Sequence, residues 1–176
     1  MIDFSRNYFE LFGLPVRFRC DNEALDRAYR ALQGDVHPDR FAAATDADRR
    51  LALQSSSRVN EAYAALRDPV ARAQYLLALR GIDAMPVHDT RLPLPFLERQ
   101  LERREEAAAA AAAGDLDALE TMLREVRAEA RALEARLGTL LDVDAAWDEA
   151  SLRVRELRFL RKLAEDVDAM AAEVEA

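Results

Sequence analysis

The stretch DVHPDRF, residues 35–41, separates two segments that both have the apolar periodicity of an α-helix. Because Pro38 has no amide hydrogen and restricts the residue before it, the first helix must end ahead of that proline. The sequence therefore predicts a helical hairpin with the tripeptide His37-Pro38-Asp39 at its tip. The apolar positions are Leu25, Ala28, Tyr29, Leu32 and Val36 in the first segment, and Leu51, Val59, Ala62, Tyr63 and Leu66 in the second, which runs from about residue 45 to 66.

Local signals place two further helices in the first part of the chain. A short aromatic helix is predicted within NYFELFGLP near the start, and a fourth helix follows the hairpin. Their boundaries are marked by Gly13 and Pro15 after the first helix, Asp21 before the second, Asp68-Pro69 at the start of the fourth and Gly81 near its end. We expect these four helices to form one domain, residues 1–80.

A second helical domain is predicted beyond a proline-rich break. Residues 81–95, GIDAMPVHDTRLPLP, contain one glycine and three prolines, so residues 81–94 are assigned to a linker. Pro95 opens a helix that runs through an alanine tract to a turn at Gly114-Asp115. Two longer helices follow, with apolar seams at Leu116, Leu119, Leu123, Val126, Ala130, Leu133, Leu137 and Leu140, and at Trp147, Ala150, Val154, Leu157, Leu160, Leu163, Val167 and Met170. These seams predict an antiparallel three-helix bundle over residues 95–176, and the fold class is all-α.

The composition argues against a nucleic-acid-binding, a membrane-spanning or a secreted protein. The chain has 176 residues and a net charge of −8, with twelve basic and eleven acidic side chains in residues 1–80 and thirteen and twenty-two in residues 81–176. An acidic second half is unsuited to a nucleic-acid partner, and the apolar runs are too short to cross a membrane. A single cysteine, Cys20, cannot form an internal disulfide and is typical of a reducing compartment. Since the start also lacks the features of a secretory signal, we expect a cytoplasmic protein.

Several roles are open for the tripeptide when it is considered alone. His37 beside Asp39 has the elements of an acid–base pair, but no recognisable nucleophile motif accompanies it. His37, His88 and Cys20 are too scattered for a metal site, so none is predicted. A surface turn, in which Pro38 stops a helix and Asp39 makes a local turn, is the most frequent use of such a sequence.

The surrounding segments decide between these roles. An aromatic first helix, an amphipathic second helix ending in HPDRF, and then VNEAYAALRDPVARAQY resemble a J-domain over roughly residues 4–80. J-domains dock on DnaK-class heat-shock chaperones and stimulate their ATP hydrolysis. The resemblance implies that the chaperone is contacted by His37, Pro38, Asp39, Arg40, Arg27 and Arg30. Gly34 and Asp35 stand where the basic face of such a helix usually continues, which implies weaker or more selective docking.

Four further stretches narrow the resemblance to one family of J-domain proteins. They are YFELFGLP at the start, AQYLLALRG at the junction, FLERQLERREEA after the linker and RELRFLRKL near the end. Together they resemble HscB, the J-type co-chaperone family of bacterial iron–sulfur cluster assembly. Such proteins deliver the scaffold protein IscU, which carries a nascent cluster, to the specialised chaperone HscA. By this resemblance the chain holds no cofactor of its own.

The same resemblance implies a scaffold-binding face on the first and last helices of the bundle. Matching the family position by position selects Leu97, Leu101, Glu102, Glu105 and Phe159. Leu97, Leu101 and Glu105 are spaced four apart and therefore share one side of a helix. From periodicity alone, the two leucines are more typical of a bundle core than of a binding face. Two positions, Glu98 and Ala109, depart from the family pattern of a methionine and a carboxylate.

We therefore expect a co-chaperone that is not an enzyme, with one domain for HscA and the other for IscU. Two alternatives remain open: a J-domain co-chaperone with a different client, and a structural helical adaptor without chaperone activity. Titration of a DnaK-class ATPase separates them, because an adaptor would leave the rate unchanged. An enzyme that used His37 for acid–base catalysis would need a pocket and a bound small molecule.

Overall fold

A computed structural model describes residues 2–36, 45–86 and 92–175. Within these ranges the chain forms helices and no β-strand, so the all-α fold class is confirmed. The helices are α1 (Tyr8–Leu11), α2 (Asn22–Val36), α3 (Asp46–Arg67), α4 (Pro69–Ala78), α5 (Leu94–Ala113), α6 (Leu116–Thr139), a π-helical turn (Leu140–Asp144) and α7 (Trp147–Glu175). They fall into two compact units, Met1–Leu79 and Arg80–Ala176. None of the described helices is long and apolar enough to cross a membrane.

The centre of the first unit is the hairpin of α2 and α3. Tyr29 stacks on Tyr63 with ring centroids 4.0 Å apart. Each hydroxyl donates a hydrogen bond to the opposite helix at 3.0 Å, Tyr29 to Asn60 and Tyr63 to Asp26. Residue numbers that rise along α2 fall along α3, so the two helices are antiparallel, as predicted. The apolar side of the hairpin is buried at Leu25, Val36, Val59, Ala62 and Leu66.

Helix α1 is held in the first unit by Tyr8. The Tyr8 ring stacks on Tyr75 at a centroid distance of 4.1 Å, and the Tyr8 amide donates a 2.9 Å hydrogen bond to the Tyr75 hydroxyl. The guanidinium carbon of Arg58 lies 4.5 Å from the centroid of the Tyr8 ring. At the start of α1, Asn7 and Glu10 form a reciprocal capping box, in which each backbone amide donates to the other side chain at 3.0 Å. A four-residue helix is therefore ordered by its cap and by the contacts of Tyr8 and Phe9 with the Tyr75 ring.

The second unit is the predicted antiparallel three-helix bundle. Contacts between α6 and α7 join residues that run in opposite directions, as in Arg127–Asp168 at 3.0 Å and Arg136–Glu149 at 3.3 Å. Contacts between α5 and α7 run in the same direction, so α6 is antiparallel to both of its neighbours. The core between α6 and α7 is formed by Leu119, Leu123, Val126, Ala130, Leu137, Ala150, Val154, Leu157, Leu160, Leu163 and Val167.

The two connections within the bundle differ in their chemistry. Between α5 and α6, Gly114 adopts a left-handed φ of 68°, and the side chain of Asp115 accepts a 3.0 Å hydrogen bond from the Ala118 amide. This turn is the predicted one. Between α6 and α7, the π-helical turn is followed by Ala145 with a left-handed φ of 51°, a conformation that is unfavourable for alanine. Neither feature was predicted from the sequence.

Helix ends differ from the predicted ones by a few residues at two places. Helix α4 ends at Ala78 rather than near Gly81, and α5 begins at Leu94, one residue before Pro95. A proline at the second helical position is tolerated because its missing amide hydrogen has no intrahelical partner there. The division into residues 1–80, 81–94 and 95–176 stays a prediction, since the two compact units define no separate linker.

Candidate functional site

The predicted chaperone contact lies between α2 and α3 in the sequence. Its residues His37, Pro38, Asp39 and Arg40 lie outside the described part of the chain. The helices on either side are described: α2 ends at Val36 and α3 begins at Asp46. The tyrosine stack and its two hydrogen bonds fix the register of these helices. They therefore also fix where Val36 lies relative to Asp46, the two helix ends on either side of the tripeptide in the sequence.

Two other predicted chaperone contacts, Arg27 and Arg30, are exposed and one turn apart on α2. The Arg27 guanidinium lies 3.7 Å from the Glu23 carboxylate, and Arg30 Nε donates to the Asp26 carbonyl at 3.2 Å. Exposed pairs within one helix contribute only a few tenths of a kcal/mol, so either arginine can exchange its contact for one with a partner. The last turn of α2 carries no basic side chain.

The leucines of α5 that were selected from the sequence face outward. Leu97 and Leu101 are 39% and 59% exposed, whereas the residue before each of them, Phe96 and Gln100, is buried. The bundle core is therefore built from the other side of α5. Single exposed leucines are common on protein surfaces, but neighbouring ones on a helix form an apolar patch that is available to a partner.

Leu94 extends this surface by one turn, although it is not among the binding residues predicted from the sequence. It is the first residue of α5 and is 66% exposed. Spacings of three and four residues to Leu97 and Leu101 place the three side chains on one side of the helix. That spacing is present in the sequence, but a helix start at Pro95 assigned Leu94 to the linker. We refer to Leu94, Leu97 and Leu101 as the leucine patch.

Acidic side chains lie beside the leucine patch. Glu102 and Glu105, both predicted scaffold contacts, are exposed. Glu98 and Ala109, which depart from the family pattern, are exposed as well. Because Glu98, Glu102 and Glu105 follow one another by four and three residues, they form a row of negative charge along α5.

Phe159, the predicted contact on α7, is half-buried. Its ring packs edge-on against Phe96, with centroids 5.8 Å apart and planes at 81°. The guanidinium carbon of Arg104, on α5, lies 5.2 Å from the centroid of the same ring. The bundle thus brings Phe159 to the helix that carries the leucine patch, and it adds Arg104, which sequence reasoning did not select.

The residues with metal-ligating chemistry are not gathered in the described part of the chain. Cys20 is half-buried, and burial raises the pKa of its thiol, which disfavours the thiolate that metals require. Among residues 2–36, 45–86 and 92–175, no group of three or more His, Cys, Asp or Glu side chains is placed to hold a metal ion. His37 and His88 lie outside these ranges.

Comparison with known proteins assigns both units to a family. Residues 7–75 match the DnaJ domain, and residues 93–168 match the HSCB C-terminal oligomerisation domain. A protein of Burkholderia multivorans named Co-chaperone protein HscB homolog is 49% identical over 175 residues, with 99% of each chain covered. The chain belongs to the HscB family of co-chaperones.

Solved HscB structures share the fold. Chaperone HscB from Vibrio cholerae is 38% identical, with a TM-score of 0.87, and the match covers 96% of this chain and 99% of that one. Human co-chaperone protein HscB is 27% identical with a TM-score of 0.88, covering 96% and 83% of the two chains. The resemblance and the co-chaperone function are confirmed, and the DnaJ domain indicates a heat-shock chaperone of the DnaK class as a partner.

Proposed function

We propose that the protein stimulates the ATPase of an HscA-like chaperone and delivers an IscU-like iron–sulfur scaffold protein to it. The observation that carries the proposal is the presence, in one HscB-family chain, of the His-Pro-Asp tripeptide and of an exposed leucine patch on the bundle. In this proposal residues 1–80 are the J-domain, residues 81–94 the linker and residues 95–176 the scaffold-binding domain. The protein acts in the cytoplasm and is not an enzyme, because the ATP chemistry belongs to the chaperone.

The chaperone side of the proposal rests on the hairpin of α2 and α3. Proline restricts the backbone of the tripeptide, so less conformational entropy is lost when it docks. The carboxylate of Asp39 offers a charge-assisted hydrogen bond to a cation on the chaperone. Arg27, Arg30 and Arg40 supply positive charge near it, which acts mainly on the rate of encounter and on the choice of partner.

The scaffold side rests on the leucine patch together with Phe159, Glu102 and Glu105. Leu97 and Leu101 have 39% and 59% of their surfaces left to bury. A fully buried leucine contributes about 1.5–3 kcal/mol. The exposed fractions of Leu97 and Leu101 add up to about one whole leucine, so their burial together supplies about that amount. Association costs at least roughly 4 kcal/mol, so Leu94, Phe159 and complementary charges must contribute the rest. The complex is therefore weak and reversible, as suits a protein that releases what it delivers.

The iron–sulfur cluster is cargo in this proposal and stays with the scaffold protein. Iron–sulfur clusters are held by several cysteine thiolates, and the chain has one cysteine. Cys20 lies in the first unit, whereas the leucine patch lies in the second. In this proposal the co-chaperone recognises the surface of the scaffold protein and makes no contact with the cluster through a cysteine.

The variant His37→Gln tests the chaperone side. We expect it to abolish stimulation of ATP hydrolysis by an HscA-like chaperone, since the tripeptide is the proposed contact. Scaffold binding, measured by isothermal titration calorimetry, should stay unchanged because the leucine patch is intact. His88→Gln is the matched control, as it alters the other histidine of the chain and should affect neither measurement.

The double variant Leu97→Ala/Phe159→Ala should do the reverse. Scaffold binding is lost because two apolar contacts are removed, while stimulation in the absence of scaffold persists. Normal stimulation by His37→Gln would show that the proposal is wrong for the chaperone side. Normal scaffold binding by the double variant would show the same for the bundle.

A further inference from the structure

Arg104 continues the line of the leucine patch on α5. It follows Leu101 by three residues and Leu97 by seven, so its side chain leaves the helix on the same side. Its side chain is 48% exposed, and Nη2 lies 3.5 Å from a carboxylate oxygen of Asp166 on α7. The surface that begins at Leu94 therefore ends in a cation that α7 holds in place.

Two groups on α7 fix the position of this guanidinium. One is the Phe159 ring, whose centroid lies 5.2 Å from the guanidinium carbon. The other is Asp166, which pairs through Oδ2 with Arg104 and through Oδ1 with Lys162, the latter at 2.9 Å. A guanidinium over an aromatic face is attracted by the ring quadrupole, and the carboxylate adds a charge-assisted contact.

The other arginines of this part of α5 point to a different neighbour. Arg99 and Arg103 pair with Glu129 on α6, at 3.6 and 2.7 Å. Arg104 is thus the one of these three arginines that contacts the predicted binding residue Phe159. Since Phe96 contacts the same ring edge-on, the half-buried ring lies in contact with both an aromatic side chain and a guanidinium.

We infer that Arg104 is a positioning and specificity-determining residue of the scaffold-binding face: it holds the Phe159 ring and offers its guanidinium to a hydrogen-bond acceptor of the scaffold protein. The inference rests on the proposed function and adds a chemical requirement to it. A guanidinium has five N–H donors, and the exposed half of this side chain leaves part of that fork to a partner. The partner must therefore present apolar side chains to the leucine patch, cations to Glu102 and Glu105, and a carboxylate or carbonyl to Arg104.

A double-mutant cycle tests this inference through the dissociation constant of the complex with an IscU-like scaffold protein. The cycle comprises the wild-type protein, Arg104→Ala, Phe159→Ala and the double variant. We expect Arg104→Ala to weaken binding about tenfold, a change that lies between the strengths of an exposed and of a desolvated cation–π contact. Because the two side chains act as one unit, the double variant should bind no more than about threefold more weakly than the weaker single variant. Arg104→Lys should recover part of the affinity, since it keeps the charge and loses the planar fork.

Arg99→Ala is the matched control. It removes an arginine from the same helix, with 56% exposure and an ion pair of 3.6 Å, but one that faces α6. We expect it to bind the scaffold within about twofold of wild type, because rim charges contribute little. Thermal unfolding of both alanine variants should be close to that of wild type, which separates a binding effect from a loss of fold.

Arg104→Ala binding as tightly as wild type, or more tightly, would overturn the inference, because Arg104 would then be irrelevant or a mere cover over Phe159. Effects that add in the double variant would overturn it as well. These outcomes leave the proposed function standing if Leu97→Ala still weakens binding. Failure of the wild-type protein to bind the scaffold would instead remove the proposed function and this inference together.

Discussion

Tyr8 links a four-residue helix to the rest of the first unit, and its hydroxyl reports on that contact. The pKa of Tyr8 is raised to about 12, mainly by burial of the hydroxyl and to a smaller extent by its hydrogen bond with Glu61. The unfolded value is about 10, so the pKa is higher in the folded state. A group of this kind stabilises the fold fully below its unfolded pKa, and the contribution is lost as the pH rises through the folded pKa. The affected window is therefore the alkaline range between these two values.

Substitution of Tyr8 by Phe removes this titration. Between pH 9 and pH 12 we expect the free energy of unfolding of the wild-type protein to fall by about 2 kcal/mol more than that of Tyr8→Phe. Urea denaturation at successive pH values measures both profiles. Parallel profiles would mean that the hydroxyl titrates as it does in the unfolded chain, and that Tyr8 is not buried in the way described.

At the scale of single elements, α5 is the helix with the least apolar attachment to the bundle. Its buried residues are Phe96, Gln100 and Ala107, whereas α6 and α7 bury long apolar seams. Gln100 is fully buried, and its Oε1 accepts a 3.3 Å hydrogen bond from Arg103. Its Nε2, however, finds no hydrogen-bond partner in the part of the chain that the structure describes. An unpaired buried amide costs about 1–3 kcal/mol, which offsets part of the stabilisation that the packing of α5 provides.

Replacement of Gln100 by Met tests this cost. Methionine has a similar length and needs no hydrogen bond, so we expect the free energy of unfolding to rise by about 1 kcal/mol. Gln54→Met, at an exposed position of α3, is the control and should leave the free energy nearly unchanged. Urea denaturation of the three proteins gives the comparison. A destabilised Gln100→Met would indicate that the amide makes a favourable interaction after all.

Most helix ends were predictable because their signals are local. Asp21 and Asp68 each accept a hydrogen bond from the amide three residues later, at 3.0 and 2.8 Å, as expected of N-cap residues. The π-helical turn and the left-handed Ala145 were not predictable, because the apolar seam continues through Leu140 and alanine has no preference for that conformation. The π-helical turn contacts both α6 and α7, and such packing cannot be read from the local sequence.

The residues of the candidate site were also only partly predictable from the sequence. Leu97 and Leu101 were selected through the family resemblance, and periodicity alone favoured the core for them. Their exposure depends on which side of α5 meets the other helices. Arg104 shares the helical spacing of Leu97 and Leu101, but its contact with Phe159 was not predictable because it joins two helices that are far apart in the sequence. Local chemistry thus predicts helix ends well, and contacts between helices poorly.

At the scale of the whole molecule, the proposed function needs both binding surfaces on one chain. A chain that holds the scaffold protein and the chaperone at once raises the effective concentration of one for the other. His37→Gln keeps only the scaffold surface, and Leu97→Ala/Phe159→Ala keeps only the chaperone surface. An equimolar mixture of the two variants therefore contains both surfaces, but never in the same molecule.

We expect this mixture to stimulate ATP hydrolysis by the chaperone less than the wild-type protein does. With scaffold protein present, the wild type should stimulate ATP hydrolysis by the chaperone more strongly than either variant. The mixture should give only the stimulation of Leu97→Ala/Phe159→Ala, because delivery requires a covalent connection. Steady-state ATPase rates decide the question when each variant in the mixture is present at the same concentration as the wild-type protein and as the variant tested alone. A mixture as active as wild type would show that the two surfaces work independently.

The two-residue connection at Gly114-Asp115 makes one end of α5 a pivot. The Gly114 and Asp115 amides donate to the carbonyls of Ala111 and Ala110 at 3.1 and 2.9 Å, so this end stays beside α6 when the helix tilts. With 20 residues, α5 is a lever arm of about 30 Å, and a tilt of about 10° moves its far end by about 5 Å. Leu94 sits at that far end. A bound protein that tilted α5 about this end would change the distance between the leucine patch and Phe159, and it would have to break the contacts of Phe96 with Phe159 and of Arg104 with Asp166.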